Sequence, residues 1–530
     1  MRLYFIFFAS FILAETHIME TFLEKITEIN DAINSFVWVK IGLILLIGTG
    51  ILLTVVTKCF QLSHFTHWWK KTGGGVFDKK SHNKKEKGSV SQFQALCTAL
   101  AATIGTGNIA GVSAAICIGG PGAVFWMWVA AFFGMMTNFS ENVLGIYYRR
   151  KNSEGEWSGG AMYYLQDGLG SYKGCKHIGK ILAILFSCFA ALASFGIGNM
   201  GQINKITLNL ESAFFSDITE DLVVFGSVKL IPLSIGIVLM VVSAVIIIGG
   251  LKRIAAFAEK IVPFMAVAYI IGALILIVIN IPQIPSAFAA IFKFAFGIKA
   301  VAGAAAGIAI KEVITQGCKR GVFSNEAGLG SSVMVHSNSD VKEPVKQGMW
   351  GIFEVFADTF VVCTMTALVV LTSGYINLDT GIVLEGTDDA TLVADAFSSV
   401  FGVGGQWFIA VAILLFAFTT VLGWSHYGSK AVEYLMGTRA AKVYKIIFVA
   451  MIVTGAIMES SLAWDISDTF NGLMMIPNLI GVIALFPLVK KITNNYVARK
   501  IKGKKDVKPM LSFDEKIQME HEELVEQGAE

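Results

Sequence analysis

The sequence predicts an all-α integral membrane protein with about eleven transmembrane helices. Three observations carry that prediction. Of 530 residues, 55% are apolar and only 15% are charged, against about 25% charged in soluble domains, and the mean hydropathy is +0.65. Charge-free runs of membrane-crossing length recur along the chain. The remaining charges collect in the loops between those runs, with basic and acidic loops alternating. A soluble multi-domain enzyme, a disordered chain and a disulfide-built secreted domain do not fit these figures. The seven cysteines, at 59, 97, 117, 175, 188, 318 and 363, stand singly without a CxxC or Cys/His cluster. They read as small core residues, neither metal ligands nor a disulfide framework. A net charge of +3 gives no global field favouring nucleic acid.

Residues 1–14 (MRLYFIFFASFILA) have the outline of a signal-peptide core. The alternative, which we favour, starts translation at Met19 and gives the extension no structural role; residues 1–35 are then an N-terminal extension and lead. Crossing about 30 Å of hydrocarbon takes about 20 residues at 1.5 Å each. The apolar runs predict helices over 36–58, 92–118, 121–148, 178–205, 230–251, 255–281, 287–318, 347–373, 404–436, 443–463 and 469–490. The run 88–140 holds two spans that turn at Gly119-Gly120-Pro121-Gly122. Segment 287–318, interrupted by Lys299 and Lys311, reads as one broken span.

The basic residues orient these spans. Loop 58–90 holds eight Lys/Arg and 149–180 holds six, beginning Arg149-Arg150-Lys151. Lys252-Arg253, Lys319-Arg320, and Arg439 with Lys442 and Lys445 mark further basic loops. Loops 206–228 and 374–403 are acidic with no Lys or Arg. If 287–318 is one full span, the alternation holds throughout, placing the N-terminus outside and the charged tail 491–530 in the cytoplasm of a multi-pass cell-membrane protein.

Two spans are broken where a helix should be continuous. Span two carries Ala101-Ala-Thr-Ile-Gly-Thr-Gly-Asn108-Ile-Ala-Gly111, and span seven carries Ala300-Val-Ala-Gly-Ala-Ala-Ala-Gly307. Glycine costs about 1 kcal/mol relative to Ala in a helix interior. Unwound backbone at membrane depth is tolerated only inside protein or along a cavity. Paired interruptions at corresponding positions of two halves point to a transporter site. Spans two and seven lie five apart, so each opens one half of a five-plus-five repeat (92–281 and 287–490) after a peripheral helix 36–58. The competing reading is close helix packing through small residues, which fits Gly303 and Gly307.

Further candidates each have two readings. Gly196-Ile-Gly-Asn-Met-Gly201 matches GxGxxG but follows an apolar helix, so a dinucleotide site does not fit. Asn199, Gln202 and Asn204 serve either a cavity or helix–helix hydrogen bonds. Thr419 and Thr420, in FAFTTVLGW (416–424), offer two uncharged oxygen ligands suited to a monovalent cation. Alternatively they bond back to their own helix. Glu354 and Asp358 stand at i, i+4 on span eight and Glu141 lies in span three. Intramembrane acids are functional candidates: either a proton relay, or structural groups pairing with Lys311 or helix ends. Loop 319–332 (KRGVFSNEAGLGSS) reads as a cytoplasmic gate or hinge.

The segments GTGNIAGVSAAICIGGPGAVFWMWVAAFFGM (105–135), GAMYYL (160–165), RGVFSNEAGLGSS (320–332) and FAFTTVLGWSHYG (416–428) together resemble the alanine/glycine:cation symporter family. The match runs from about residue 20 to 490. It implies sodium-coupled uptake of small neutral amino acids on the fold first seen in the bacterial leucine transporter, a peripheral helix followed by two inverted five-helix repeats with discontinuous first helices. Carried over by position, Gly105, Thr106, Gly107 and Asn108 resemble the unwound substrate-binding segment. Ala101 and Ile104 resemble the positions whose carbonyls meet sodium. Phe416 by its carbonyl, with the Thr419 and Thr420 hydroxyls, resembles the partner set. Gly303, Ala304, Ala305 and Ala306 correspond to the second unwound segment, Gln202 to a polar pocket residue and Trp424 to a pocket wall. Ala304 replaces a glycine common in the family, which implies a tighter pocket.

The expectation is therefore a secondary active transporter, not an enzyme, coupling Na+ entry to uptake of alanine or glycine by alternating access. It uses no cofactor beyond Na+ as coupling ion. The helix-end dipoles at the two breaks would hold the substrate carboxylate and ammonium groups. The alternative is a proton-coupled amino-acid symporter working through Glu354 and Asp358. A channel would need a continuously lined pore, and a membrane enzyme would need a set such as HExxH, which the chain lacks.

Overall fold

The apolar runs form helices because lipid offers no partner to a backbone N–H or C=O, and a helix satisfies both internally. A computed structural model describes residues 24–76, 88–216, 218, 222–224, 228–296, 310–385, 387, 389, 391–458 and 462–526. In chain order the principal helices are α1 (Glu24–Val56), α2 (Gln92–Thr103), α3 (Gly107–Gly119), α4 (Gly122–Tyr148), α5 (Lys176–Phe214), α6 (Leu230–Ile247) and α7 (Leu251–Ile279). There follow α8 (Ile284–Ala295), α9 (Ile310–Asn325), α10 (Val333–His336), α11 (Pro344–Thr372), α12 (Val403–Ile457), α13 (Leu462–Ala484), α14 (Phe486–Tyr496) and α15 (Glu515–Glu526). Among the described residues, strand is confined to three two-residue antiparallel ladders, such as Arg150–Lys151 against Trp157–Ser158.

Among the described residues, eight helices are long and apolar enough to cross a membrane, and the α2–α3 pair, bent by 54°, makes a ninth crossing. At about 1.5 Å per residue, the 55 residues of α12 would reach far beyond one bilayer. The chain turns inside it at Gly437, whose φ of 85° and ψ of 176° suit a residue without Cβ. The helices expected over 404–436 and 443–463 are the two arms of α12.

The structure redraws the seventh span. The expected break at 303–306 lies outside the described residues, and α8 and α9 are separate helices. The traverse of the bilayer falls further along, where α9 and α10 run beside α4. A Cβ on Gly317 would meet Ala123 and Trp126, and one on Gly321 would meet Met127. Further along, a Cβ on Gly134 would meet Ala327, and one on Gly145 would meet Val333 and Ser337. Residues 317–337 thus track α4 over most of its length, and their helix is interrupted between Asn325 and Val333. Lys319 and Arg320, expected in a basic loop, sit inside α9 toward the acidic loops. Lys319 pairs there with Asp468 at 2.8 Å, and its ammonium lies 5.6 Å from the Trp38 ring centroid.

At the basic face the two broken helices are tied together. Val90 N–H donates to the Asn338 carbonyl and Asp340 N–H to the Val90 carbonyl, both at 3.0 Å. Buried Arg149, at the end of α4, donates to the carbonyls of Ser337, Ser339 and Val341 at 3.1, 2.5 and 2.5 Å, and stacks 4.1 Å from the Trp157 ring centroid. The charged tail folds back on this face. Arg499 grips Glu343 with two bonds of 2.7 and 2.8 Å, and Phe513 N–H donates to the Tyr147 carbonyl at 3.1 Å.

Side-chain exposures of 9% and 1% for Arg499 and Glu343 make this a desolvated pair. Removing one partner of such a pair strands a buried charge, whereas removing both is far less harmful. Arg499→Leu should therefore destabilise the protein by about 3 kcal/mol, read as a lower apparent Tm in detergent. The double variant Arg499→Leu/Glu343→Leu should recover most of that loss. A loss in the double variant equal to the sum of the Arg499→Leu and Glu343→Leu losses would mean that the pair carries no coupling.

Candidate functional site

The first break begins where α2 ends. Ser91 and Gln94 form a reciprocal capping box at its start, and the helix runs to Thr103. Ile104 then takes φ −74° and ψ 90°, so the α ladder cannot continue. In an unbroken helix the Gly105 N–H would bond the Ala101 carbonyl. Here it donates to Asn108 Oδ1 at 2.9 Å, and Thr106 N–H points to Gln202 Oε1 at 3.5 Å. The Ala101 carbonyl and its neighbours at the end of α2 are thereby released from the helix. The chain resumes with a π-helical turn at Gly107–Gly111, a geometry rare in proteins and frequent at functional sites.

Asn108 is itself held from behind. Its Nδ2 donates to Asp358 Oδ1 at 2.6 Å, inside a second π-helical turn at Phe356–Cys363. Asp358 also accepts from Ser324 Oγ at 2.9 Å and Thr359 Oγ1 at 2.8 Å. The acid expected to pair with Lys311 or helix ends instead joins both broken helices. Glu354 accepts from Asn138 at 3.2 Å and lies 3.0 Å from His336 Nε2, and Glu141 accepts from Asn478 at 2.5 Å. Lys311 takes no part in these contacts.

The second break faces the first. Glu326, Gly328 and Gly330 all have positive φ, at 55°, 93° and 74°. Asn325 Oδ1 accepts from Ala327 N–H, and Asn478 Nδ2 bonds the Gly328 carbonyl, at 3.0 and 2.9 Å. Between the breaks lies a small cavity, with about 20 Å³ open to the centre of a water-sized molecule. Of the residues singled out from sequence, Gly105, Gly107, Gln202, Thr420 and Trp424 line it. Thr106 Oγ1 donates to Gln202 Oε1 at 3.0 Å. Gln202 alone of the three amides faces the cavity; Asn199 and Asn204 bond the Phe448 and Met458 carbonyls across helices, at 2.7 and 2.8 Å. Gly303, Ala304, Ala305 and Ala306 lie outside the described residues. Phe323, Glu326 and Leu329 occupy the facing wall.

Those three were missed because loop 319–332 reads from sequence as a surface gate. The signal available was a carboxylate and two glycines, NEAGLG, set between apolar neighbours. Glu326 accepts from Ser331 Oγ at 2.5 Å and interacts with Trp424.

Beside Gly105 the α2 end meets α12. A Cβ on Gly423 would lie 2.6 Å from the Ala102 Cβ, so these backbones are nearly in contact. Thr419 and Thr420 both donate to the Phe416 carbonyl, at 2.9 and 3.0 Å. That back-bonding gathers three oxygens at one point. A Cβ on Gly105 would lie 2.5 Å from Thr420 Oγ1, so that oxygen cluster abuts the break. Trp424, 3% exposed, packs on Gly198, where any side chain would clash with its Cβ and ring. The GxGxxG-like stretch is thus a π-helical close approach, with no nucleotide geometry. Among the described residues there is no cluster of metal-ligating side chains.

The profile of the sodium:alanine symporter family matches residues 23–510. The chain belongs to this family. The sodium/alanine symporter AgcS of Methanococcus maripaludis is 43% identical over 466 residues, covering 88% of this chain and 96% of its own. The probable sodium/glutamine symporter GlnT of Bacillus subtilis is 36% identical over 491 residues, covering 92% and 94%. The crystal structure of MhsT in complex with L-phenylalanine superposes with a TM-score of 0.51 at 13% identity, covering 77% of this chain and 99% of that one, and assigns the leucine-transporter-type fold. This symporter is a multi-pass membrane protein and a secondary transporter of amino acids, not an enzyme.

The cavity tolerates no added atoms at its first break. Gly105→Ala would drive a methyl into Thr420 Oγ1; overpacking of this kind costs about 1–3 kcal/mol of stability, and a substrate held in this cavity should bind about fivefold or more weakly. Gly48→Ala, where nothing lies within 4 Å of the new methyl, should leave affinity unchanged and stability equal or higher. Isothermal titration or scintillation-proximity binding on the purified variants reads both.

Proposed function

We propose that this protein couples inward sodium flow to uptake of alanine, glycine or a similarly small neutral amino acid by alternating access about the cavity between the two breaks. The observation that carries the reading is the oxygen cluster of α12 lying directly beside the break that ends α2. Ala101 and Ile104 would supply carbonyls, Phe416 a third, and Thr419 and Thr420 hydroxyls, an uncharged oxygen set that suits a monovalent cation. The hydroxyls now donate to Phe416; a bound cation would turn their lone pairs inward.

The substrate would lie against Gly105, Thr106, Gly107 and Asn108, with Gln202 beside it. Helix-end dipoles favour the carboxylate at N–H ends and the ammonium at carbonyl ends. By the positive-inside bias, the basic face lies in the cytoplasm of the cell membrane, with the N-terminus outside and the C-terminus inside. Each sodium entering down the potential yields about 2.3 kcal/mol per 100 mV, enough to concentrate a zwitterion roughly fiftyfold.

Proteoliposomes test the coupling directly. Labelled alanine should accumulate under an imposed sodium gradient and not under a proton gradient alone; the reverse would assign the coupling to protons. Thr420→Ala should raise the sodium concentration for half-maximal uptake by about fivefold or more, the loss of one ligand being worth about 1–3 kcal/mol. Unchanged sodium dependence removes Thr420 from the ion site.

Trp424 would set substrate size. It sits one helical turn beyond Thr420 on the same face, and a rigid indole excludes larger side chains by clash. Trp424→Leu should let valine and leucine compete with labelled alanine while alanine affinity weakens. An unchanged size ranking in a folded variant would make the ring a packing element only.

A further inference from the structure

A second cavity opens beside the first, toward the acidic loops. It offers about 130 Å³ to the centres of water-sized molecules, against a minimum of about 10–15 Å³ for one water. One wall is the small-residue face Gly107, Ala110, Gly111 and Ala114 of α3, spaced as one stripe of a helix. Opposite stand Arg320 and Phe323, one turn apart on α9, with Lys205 of α5 and Asp389 also on its lining. Gly107 and Phe323 belong to both cavities. A Cβ on Gly107 would lie 3.2 Å from the Phe323 ring, so these two residues are the partition between them.

Arg320 is the anomaly. Its neighbour Lys319 is neutralised by Asp468 at 2.8 Å. Arg320 has no hydrogen bond or ion pair among the described residues, and its Nε is buried without a partner. A guanidinium with its Nε buried and unpartnered is retained at a cost that an anion offsets. Its planar fork matches a carboxylate with two parallel bonds.

We propose that Arg320 and Lys205 form an entry subsite that captures the carboxylate of an incoming amino acid before it passes Phe323 into the central cavity. This rests on the transport reading above. The small-residue wall of α3 leaves room for the substrate beside the guanidinium. The partition at Gly107 and Phe323 makes the subsite a waiting position separate from the oxygen cluster at Thr420. A small inorganic anion such as chloride shares the chemistry, and the test separates the two sources.

Wild-type protein, Arg320→Gln and Arg320→Lys are compared in proteoliposomes with labelled alanine outside. Arg320→Gln should raise KM by about tenfold, the loss of charge-assisted bonds, with the maximal rate altered less than twofold. Arg320→Lys should recover part of the affinity. External acetate, a carboxylate without an ammonium, should compete with alanine in the wild type and lose that effect in Arg320→Gln. Unchanged KM in Arg320→Gln, or no competition by acetate in the wild type, overturns the proposal. So does a chloride dependence of wild-type uptake that disappears in Arg320→Gln without a change in KM, which assigns the site to the inorganic anion. If Arg320→Gln does not fold, the acetate competition on wild-type protein still decides. Absence of sodium-driven uptake in the wild type would instead refute the coupling itself.

Discussion

Much of the molecule follows from one hydrogen bond, the 2.9 Å contact between the Gly105 N–H and the Asn108 side chain. In lipid a helix cannot give up its ladder unless something else receives the orphaned groups. Asn108 receives one, and it can do so because Asp358 fixes its amide from the other side at 2.6 Å. With that clamp set, the helical ladder at the end of α2 is left incomplete beside α12. Gly423 lets the two backbones approach at Ala102, which sets Thr420 beside the break. The break and the oxygen cluster of α12 are thereby set side by side, with no charged side chain among the Phe416, Thr419 and Thr420 oxygens.

The buried acids obey the same logic. Glu141, Glu326, Glu354 and Asp358 are all essentially inaccessible, and each accepts from a side-chain amide, hydroxyl or imidazole near a break. An isolated carboxylate in such surroundings would be prohibitive; placed beside irregular backbone, it stabilises the groups that the helix has abandoned. Asn478 illustrates the economy. One amide reaches Glu141 and the Gly328 carbonyl, so α13, α4 and the second break are joined through a single side chain.

The helical class, the membrane character and the first break were readable because each leaves a local mark: apolar runs, segregated charge, and glycine with a polar residue inside an apolar stretch. The second break was less readable. The break expected at 303–306 lies outside the described residues, and the backbone that faces Gly105 is NEAGLG at 325–330, whose polarity resembles a surface loop. Lys319 and Arg320 reinforced that impression, since nothing local announces that Asp468, far along the chain, neutralises the first of them. The π-helical turns at 107–111, 196–200 and 356–363 have no composition of their own. They arise from tertiary contacts, and so do the Asn108–Asp358 and Gly198–Trp424 pairings that depend on them.

The tie across the basic face bears on how tightly such a carrier seals. The Val90–Asn338 and Val90–Asp340 backbone bonds and the three carbonyl bonds of Arg149 hold the start of α2, the end of α4 and the second broken helix together at that side. Bonds to a charged donor contribute about 1.5–3 kcal/mol each, so spontaneous parting is a rare event. In an amino-acid transporter the hold of such a seam then rests on a guanidinium far from the central cavity, so the strength of the closure and the lining of the cavity are set by different residues.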